Sequence, residues 1–132
     1  MDPELIIPKE IEARRALIER ELSKYSNTKH YCNAIGSFVT ILAKSVKETA
    51  NWGCTSEVGT RLCLEIGFVI KNAVVLATDV PPHSNKQIKK FKFISMATLK
   101  CDVPDVGTAK LTIGYRKNGA AIEYCITEYC AK

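Results

Sequence analysis

Apolar and polar residues repeat with a helical period along the first part of the chain. After Pro8, residues 9–25 (KEIEARRALIERELSKY) carry one apolar stripe, formed by Ile11, Ile18, Leu22 and Tyr25. Proline suits the first turn of a helix because its nitrogen has no hydrogen to donate. The spacing therefore predicts an amphipathic helix of about four turns.

A second apolar stripe follows in residues 30–50 (HYCNAIGSFVTILAKSVKETA). Its members recur at helical intervals and are Tyr31, Ala34, Ile35, Phe38, Leu42 and Val46. This pattern predicts a second helix. Gly36 and the β-branched run at 39–41 both disfavour helix, so the segment also allows a strand. Residues 51–59 (NWGCTSEVG) predict a loop.

From Thr60 onward the apolar residues alternate with polar ones, which is the period of a β-strand. The alternation predicts five strands, at residues 60–70, 73–80, 91–101, 108–116 and 120–130. Turns separate them, including a tight turn at Lys71-Asn72 and the hairpin dipeptide Asn118-Gly119. Phe38 and Phe68 lie on the most apolar faces, so both are predicted to belong to the core.

The order of these elements predicts the fold class. Two N-terminal helices followed by a five-stranded antiparallel β-meander make an α+β fold, here a single domain over residues 1–132 with residues 1–7 as a flexible tail. The first two predicted strands are apolar on both faces. Because an antiparallel sheet usually leaves one face polar, we expect a homo-oligomer that covers the second face.

Composition narrows the class of protein. The 132 residues are 46% hydrophobic and 25% charged, with a net charge of +5, which suits a globular protein able to contact anions. The N-terminus lacks the pattern of a secretory signal, and no apolar run approaches the roughly 18 residues of a membrane span. We therefore expect a soluble cytoplasmic protein without a membrane partner. The six cysteines form no Cys-x-x-Cys pair, which predicts reduced thiols in the core.

Motifs for catalysis are missing from the sequence. Two histidines, no nucleophile elbow and no glycine-rich phosphate loop favour a protein without catalytic residues, metal or cofactor. The strand carboxylates are predicted to be solvated rather than paired, and they are Glu65, Asp79, Glu123 and Glu128. A small enzyme assembled from distant strands remains an alternative, as does a structural subunit whose sheet face mediates assembly.

The segment HSNKQIKKFKF at 83–93 concentrates positive charge at the start of a predicted strand. Two interpretations stay open: lysines that protect a sheet edge from aggregation, or an anion-binding site. The second interpretation predicts a binding protein for a nucleotide, a nucleic acid or an acidic protein surface. Its candidate ligand-binding residues are Lys86, Lys89, Lys90, Phe91, Lys92, Tyr115, Arg116 and Lys117.

Overall fold

The N-terminal helix forms where the apolar stripe predicts it. The computed structural model describes residues 5–130, and its first element is helix α1 at Ile11–Leu22. Leu17, Ile18 and Leu22 are buried on one side of this helix. The predicted tail 1–7 lies partly outside the described residues; of its described part, the Leu5 carbonyl accepts a hydrogen bond from Arg61 Nη2 at 3.1 Å.

The remaining elements follow in chain order: a 3₁₀ turn at Ser23–Tyr25, β1 at Thr28–Cys32, β2 at Ser37–Ile41, α2 at Ala43–Gly53, α3 at Glu57–Leu64, α4 at Ile66–Asn72, β3 at Val74–Val80, a π-helical turn at Lys86–Lys90, β4 at Phe93–Val103, β5 at Gly107–Arg116 and β6 at Ala121–Glu128. The last four predicted strands are thus confirmed as β3 to β6. The predicted hairpin at Asn118-Gly119 is also present, with Gly119 N–H donating to the Arg116 carbonyl at 2.8 Å.

The predicted topology was wrong. The six strands form one sheet in the order β1-β2-β6-β5-β4-β3, and helices lie between β2 and β3 as well as at the N-terminus. All neighbouring strands are antiparallel except β2 and β6, which pair in parallel through Val39 with Ala121 and Thr40 with Ile122. The fold is therefore α+β with a mixed sheet, in which β3 to β6 form a meander and the β1–β2 hairpin is added beside β6.

Residues 30–50 divide into strand and helix. The β-branched run at 39–41 lies in β2, and the chain turns from β1 into β2 at Gly36, whose positive φ of 63° suits glycine. Helix begins only at Ala43, so the strand alternative applied to the first half of the segment and the helix prediction to the second. Phe38 is 56% exposed on the edge hairpin, and its predicted place in the core was wrong.

The predicted strand at 60–70 is also wrong, since these residues form most of α3 and α4. Apolar residues occupy both parities of the segment, and such a run fits a buried helix as well as a strand. A local feature decides for helix: Ser56 is the N-cap of α3 and its Oγ accepts from the Gly59 N–H at 2.8 Å. Phe68 then points outward from α4 and is 41% exposed, which corrects its predicted burial.

The main core lies between one face of the sheet and the helices. Helices α2 and α3 pack on β6, α4 packs on β1 and β4, and α1 packs on α2 and α3. Five of the six cysteines are buried, as predicted for core thiols, and Cys130 is exposed. A smaller cluster lies apart from this core and consists of Phe91, Phe93, Met96, Ile122, Tyr124 and Cys125. Among the described residues, no helix has the length and apolarity that a membrane span requires.

Gly114 on β5 is the point of closest approach to this smaller cluster, because a β-carbon there would overlap the Phe93 ring. We expect Gly114→Ala to lower the free energy of unfolding by about 1–3 kcal/mol, the usual cost of overpacking. The matched control is Gly67→Ala in α4, where a β-carbon meets open space and alanine favours helix. Urea unfolding of both variants checks this; equal stabilities would contradict the overlap.

Candidate functional site

A β-bulge in β6 turns two consecutive side chains to the same side of the sheet. Cys125 pairs with Thr112 and Glu123 with Ile113, so Tyr124 is an extra residue without a partner on β5. Bulges of this kind redirect side chains and often lie beside functional sites. Here the bulge sends Tyr124 and Cys125 into a cleft, whereas Glu123 points to the helices.

The cleft has a volume of about 460 Å³, within the range of roughly 300–1,000 Å³ typical of small-ligand sites. Trp52 from the last turn of α2 forms one wall, and residues 83–87 of the segment after β3 form another. The strands supply the floor, through Val80, Met96, Thr98, Lys110, Thr112, Tyr124, Cys125 and Thr127. The lining thus combines aromatic and apolar surface with three threonine hydroxyls and a lysine.

Glu48 of α2 holds the aromatic side of the cleft together. Its Oε2 accepts the Trp52 indole N–H at 2.8 Å and the Tyr124 hydroxyl at 3.0 Å, while its Oε1 accepts Lys86 Nζ at 2.8 Å. Glu48 is 4% exposed, whereas Trp52 is 53% exposed. One buried carboxylate therefore ties α2 to β6 and to the π-helical turn and fixes the orientation of the indole.

The charges at this carboxylate follow from its partners. Burial alone would raise the pKa of Glu48, but the hydrogen bonds from Lys86, Trp52 and Tyr124 outweigh it and lower the pKa. Burial, with the Glu48 carboxylate beside it, raises the pKa of Tyr124 to about 12. Glu48 is thus an anion paired with Lys86, and Tyr124 is a neutral hydroxyl that donates.

Two lysines lie directly opposite each other at the strand side of the cleft. Lys110 on β5 pairs with Lys100 on β4, next to the Thr98–Thr112 pair that lines the cleft. Like charges on directly opposed positions destabilise a sheet. Lys100 Nζ lies 5.7 Å from the centroid of the Tyr129 ring, which leaves Lys110 as the cation that lines the cleft. An anion bound in the cleft would meet the positive charge of Lys110.

Glu123 lies behind this floor and is fully buried, so its predicted solvation was wrong. Thr49 Oγ1 donates to its Oε2 at 2.7 Å, and its Oε1 has no hydrogen-bond partner. Burial raises the pKa of Glu123 to about 8, with the nearby Glu48 charge adding to the shift and the Thr49 hydrogen bond opposing it. The carboxyl group is therefore protonated at neutral pH.

The lysine-rich segment has a different local structure from the predicted strand. Lys86, Lys89 and Lys90 belong to the π-helical turn, and β4 begins only at Phe93. The sheet edge on this side is β3, but β3 pairs with β4 only from Met96 to Lys100, so the first residues of β4 after the lysines pair with β5 alone. Lys89, Lys90 and Lys92 are exposed, whereas Phe91 is 2% exposed and packs in the smaller cluster.

The other predicted site residues lie at the same end of the sheet. Arg116 Nε donates to the Phe91 carbonyl at 2.9 Å, so the β5–β6 hairpin reaches the lysine-rich segment. Lys117 follows at the exposed tip of that hairpin. Tyr115 packs against the main core, and burial raises the pKa of its hydroxyl. Arg116 and Lys117 therefore adjoin the lysines, and Tyr115 does not.

Sequence reasoning missed the residues that shape the cleft, above all Glu48, Trp52 and Lys110. One pattern could have revealed part of it: Lys44, Glu48 and Trp52 follow each other at intervals of four, which places them on one face of a helix. No sequence pattern identifies Lys110 as a cleft residue, because its position opposite Lys100 depends on the register between β4 and β5.

One cysteine, Cys125, lines the cleft. Burial, with the nearby Glu123, raises the pKa of the Cys125 thiol to about 12, so this cleft cysteine is a poor nucleophile. Within residues 5–130, no group of three or more His, Cys, Asp or Glu side chains could hold a metal ion. Comparisons with protein families, with curated proteins and with solved structures find no match to this chain.

Proposed function

We propose that the protein is a non-catalytic binding protein that holds a small anionic ligand of the nucleotide type in the cleft. The observation that carries the proposal is the pairing, in one cavity, of an exposed indole with the Lys110 ammonium. An indole offers a stacking surface for a planar base, and a lysine meets a phosphate as a point charge. The threonine hydroxyls that line the same cleft can supply hydrogen bonds to a sugar or phosphate.

The assembly role is a weaker second candidate. Strand β3 is an exposed edge with Val74, Val75 and Leu76 each more than 40% exposed, and such an edge supports self-association. However, β3 carries two register shifts, and Asp79 within it has a positive φ of 55°. Bulged edges pair poorly with a second strand. The buried free thiols fit a reducing compartment such as the cytoplasm under either function.

Trp52 gives a direct test, because it is the single tryptophan of the chain and lies in the cleft wall. A nucleoside monophosphate is expected to quench its fluorescence on binding and to raise the melting temperature. Lys110→Gln is expected to weaken this binding by about tenfold, the loss of one charge-assisted contact of roughly 1.5 kcal/mol. The free nucleoside, which has no phosphate, should bind both proteins equally.

The matched control is Lys29→Gln, which removes an exposed strand lysine at the far edge of the sheet. This variant should bind the nucleotide as the unmodified protein does. Equal losses in the two variants would mean that Lys110 acts only through net charge, and unchanged Trp52 fluorescence with every nucleotide would refute the proposed function.

A further inference from the structure

Cations from three separate parts of the chain converge around Phe91. Lys44, at the start of α2, donates from Nζ to the Lys90 carbonyl at 2.9 Å and lies 5.5 Å from the centroid of the Phe91 ring. Arg116 donates to the carbonyl of Phe91 from the hairpin side. Lys89 and Lys92 flank the same stretch. The basic cluster, as we call it, comprises Lys44, Lys89, Lys90, Lys92, Arg116 and Lys117.

Little negative charge opposes the basic cluster. The sequence contains no Asp or Glu between Glu21 and Glu48, between Asp79 and Asp102, or between Asp105 and Glu123. Glu48, on the same helix as Lys44, is paired with Lys86, and Glu123 is buried. Asp79 is exposed and acts electrostatically on Tyr115, the neighbour of Arg116, so one acid stands against six cations. Among residues 5–130, no ion pair involves a member of the basic cluster. The cluster is therefore a net cationic surface.

The basic cluster and the cleft are continuous. The ring of Phe91 contacts that of Tyr124 edge to face, with centroids 5.1 Å apart, and Tyr124 lines the cleft. Along α2, Lys44 belongs to the cluster, Glu48 lies in the middle and Trp52 forms the cleft wall. Two helical intervals of four residues separate Lys44 from Trp52 by about 12 Å. A mononucleotide in the cleft would leave most of this cationic surface empty.

We propose that the cleft and the basic cluster together bind single-stranded nucleic acid. This rests on the proposed function and names its ligand: one base enters the cleft against Trp52, and the following phosphates cross the basic cluster toward the β5–β6 hairpin. Proteins that bind single strands combine aromatic stacking with a positive track for the backbone in this way. Stacking on an indole needs an unpaired base, which excludes an intact duplex from the cleft.

The test compares ligand lengths. Binding of thymidine monophosphate, dT8 and rU8 is followed by Trp52 fluorescence at 50 and 200 mM NaCl. We expect dT8 or rU8 to bind at least about tenfold tighter than the mononucleotide at 50 mM and to lose affinity more steeply with salt, because more counterions are released. Comparing dT8 with rU8 shows whether the protein prefers DNA or RNA. A preference for either sugar is compatible with the proposal.

A triple variant then tests the basic cluster itself. Replacing Lys89, Lys90 and Lys92 with glutamine is expected to weaken octamer binding at least about tenfold and to reduce the salt slope by about two, since each phosphate contact on a single strand contributes roughly 0.7. Binding of the mononucleotide should be unchanged. Thermal unfolding should also be unchanged, because exposed charges contribute little to stability.

The matched control replaces Lys24, Lys29 and Lys71 with glutamine, which removes the same charge away from the basic cluster and should leave octamer affinity near its original value. Equal affinity for mononucleotide and octamer, with sensitivity to Lys110→Gln retained, would overturn this inference and leave the proposed function standing. Binding of an octameric glutamate peptide as tight as that of dT8 would overturn it in favour of an acidic protein partner. No binding of any of these ligands would overturn both.

Discussion

Raising the pH from 6 to 8 is expected to destabilise the protein by about 2–3 kcal/mol through Glu123 alone. The folded pKa of this carboxyl is about 8, whereas its ordinary value is 4.5. Between the two values the folded state holds a proton that the unfolded state has released. The stabilising contribution is therefore fully present below about 4.5 and is lost as the pH rises through 8, at roughly 1.4 kcal/mol per pH unit.

The variant Glu123→Gln removes this titration and keeps a carbonyl oxygen for the Thr49 hydroxyl. We measure the free energy of unfolding in urea at pH 6 and pH 8. The loss between these two pH values is expected to be about 2–3 kcal/mol smaller in Glu123→Gln than in the original protein. The difference between the two proteins cancels contributions from other groups, including His30, whose pKa burial lowers. Measurements stop at pH 8 because thiols of the unfolded chain ionise above it.

Glu128→Gln is the control, since Glu128 ends the same strand but is exposed. This variant should keep the pH dependence of the original protein. A constant difference in stability between the original protein and Glu123→Gln from pH 6 to pH 8 would show that Glu123 is ionised in the folded state.

Truncating Phe91 is the second change with a large expected effect. The ring is 2% exposed and packs against the rings of Phe93 and Tyr124, each with a centroid 5.1 Å away. Phe91→Ala is expected to cost about 3–5 kcal/mol, the usual range for removing a buried phenylalanine. The hydrogen bond from Arg116 goes to the backbone of residue 91, so the substitution leaves that link in place.

Phe38→Ala is the comparison, because Phe38 is 56% exposed and its ring meets Tyr31 edge to face at 5.3 Å. Its expected cost is below about 1 kcal/mol, as for most surface positions. Chemical unfolding of both variants under the same conditions gives the two values. Similar costs would contradict the assignment of Phe91 to the core.

These two phenylalanines show which parts of the fold can be predicted from the sequence and which cannot. Ile18 and Leu22 of the α1 stripe are buried, although Ile11 is exposed. The alternation in β4 and β5 reflects one-sided burial, which can be read directly from the residues. Phe38 is apolar and on a regular pattern, yet it is exposed on β2, in the hairpin at one edge of the sheet. The place of this hairpin at the sheet edge depends on the pairing of β2 with β6, and no local pattern encodes that contact.

The cleft could not be predicted for the same reason. The bulge at Tyr124 shifts the alternation of β6 by one residue. Tyr124 and Cys125 therefore point to the same face of the sheet, whereas strict alternation would place them on opposite faces. Glu123 consequently points to the helices, where sequence reasoning placed it in solvent. The basic segment was evident from composition, but its convergence with Lys44 and Arg116 depends on the packing of α2 and the β5–β6 hairpin beside it.

The short parallel contact between β2 and β6 has a consequence for how the chain folds. Antiparallel neighbours in the meander lie close along the chain, so their turns close small loops at low entropic cost. Val39 must instead meet Ala121, across three helices and three strands. During synthesis the first hairpin therefore waits for β6 to emerge, with Val39 and Ile41, which are buried in the folded protein, still uncovered. Before β6 docks, a chaperone or another nascent chain can reach the hairpin. This exposure ends when β6 pairs with β2.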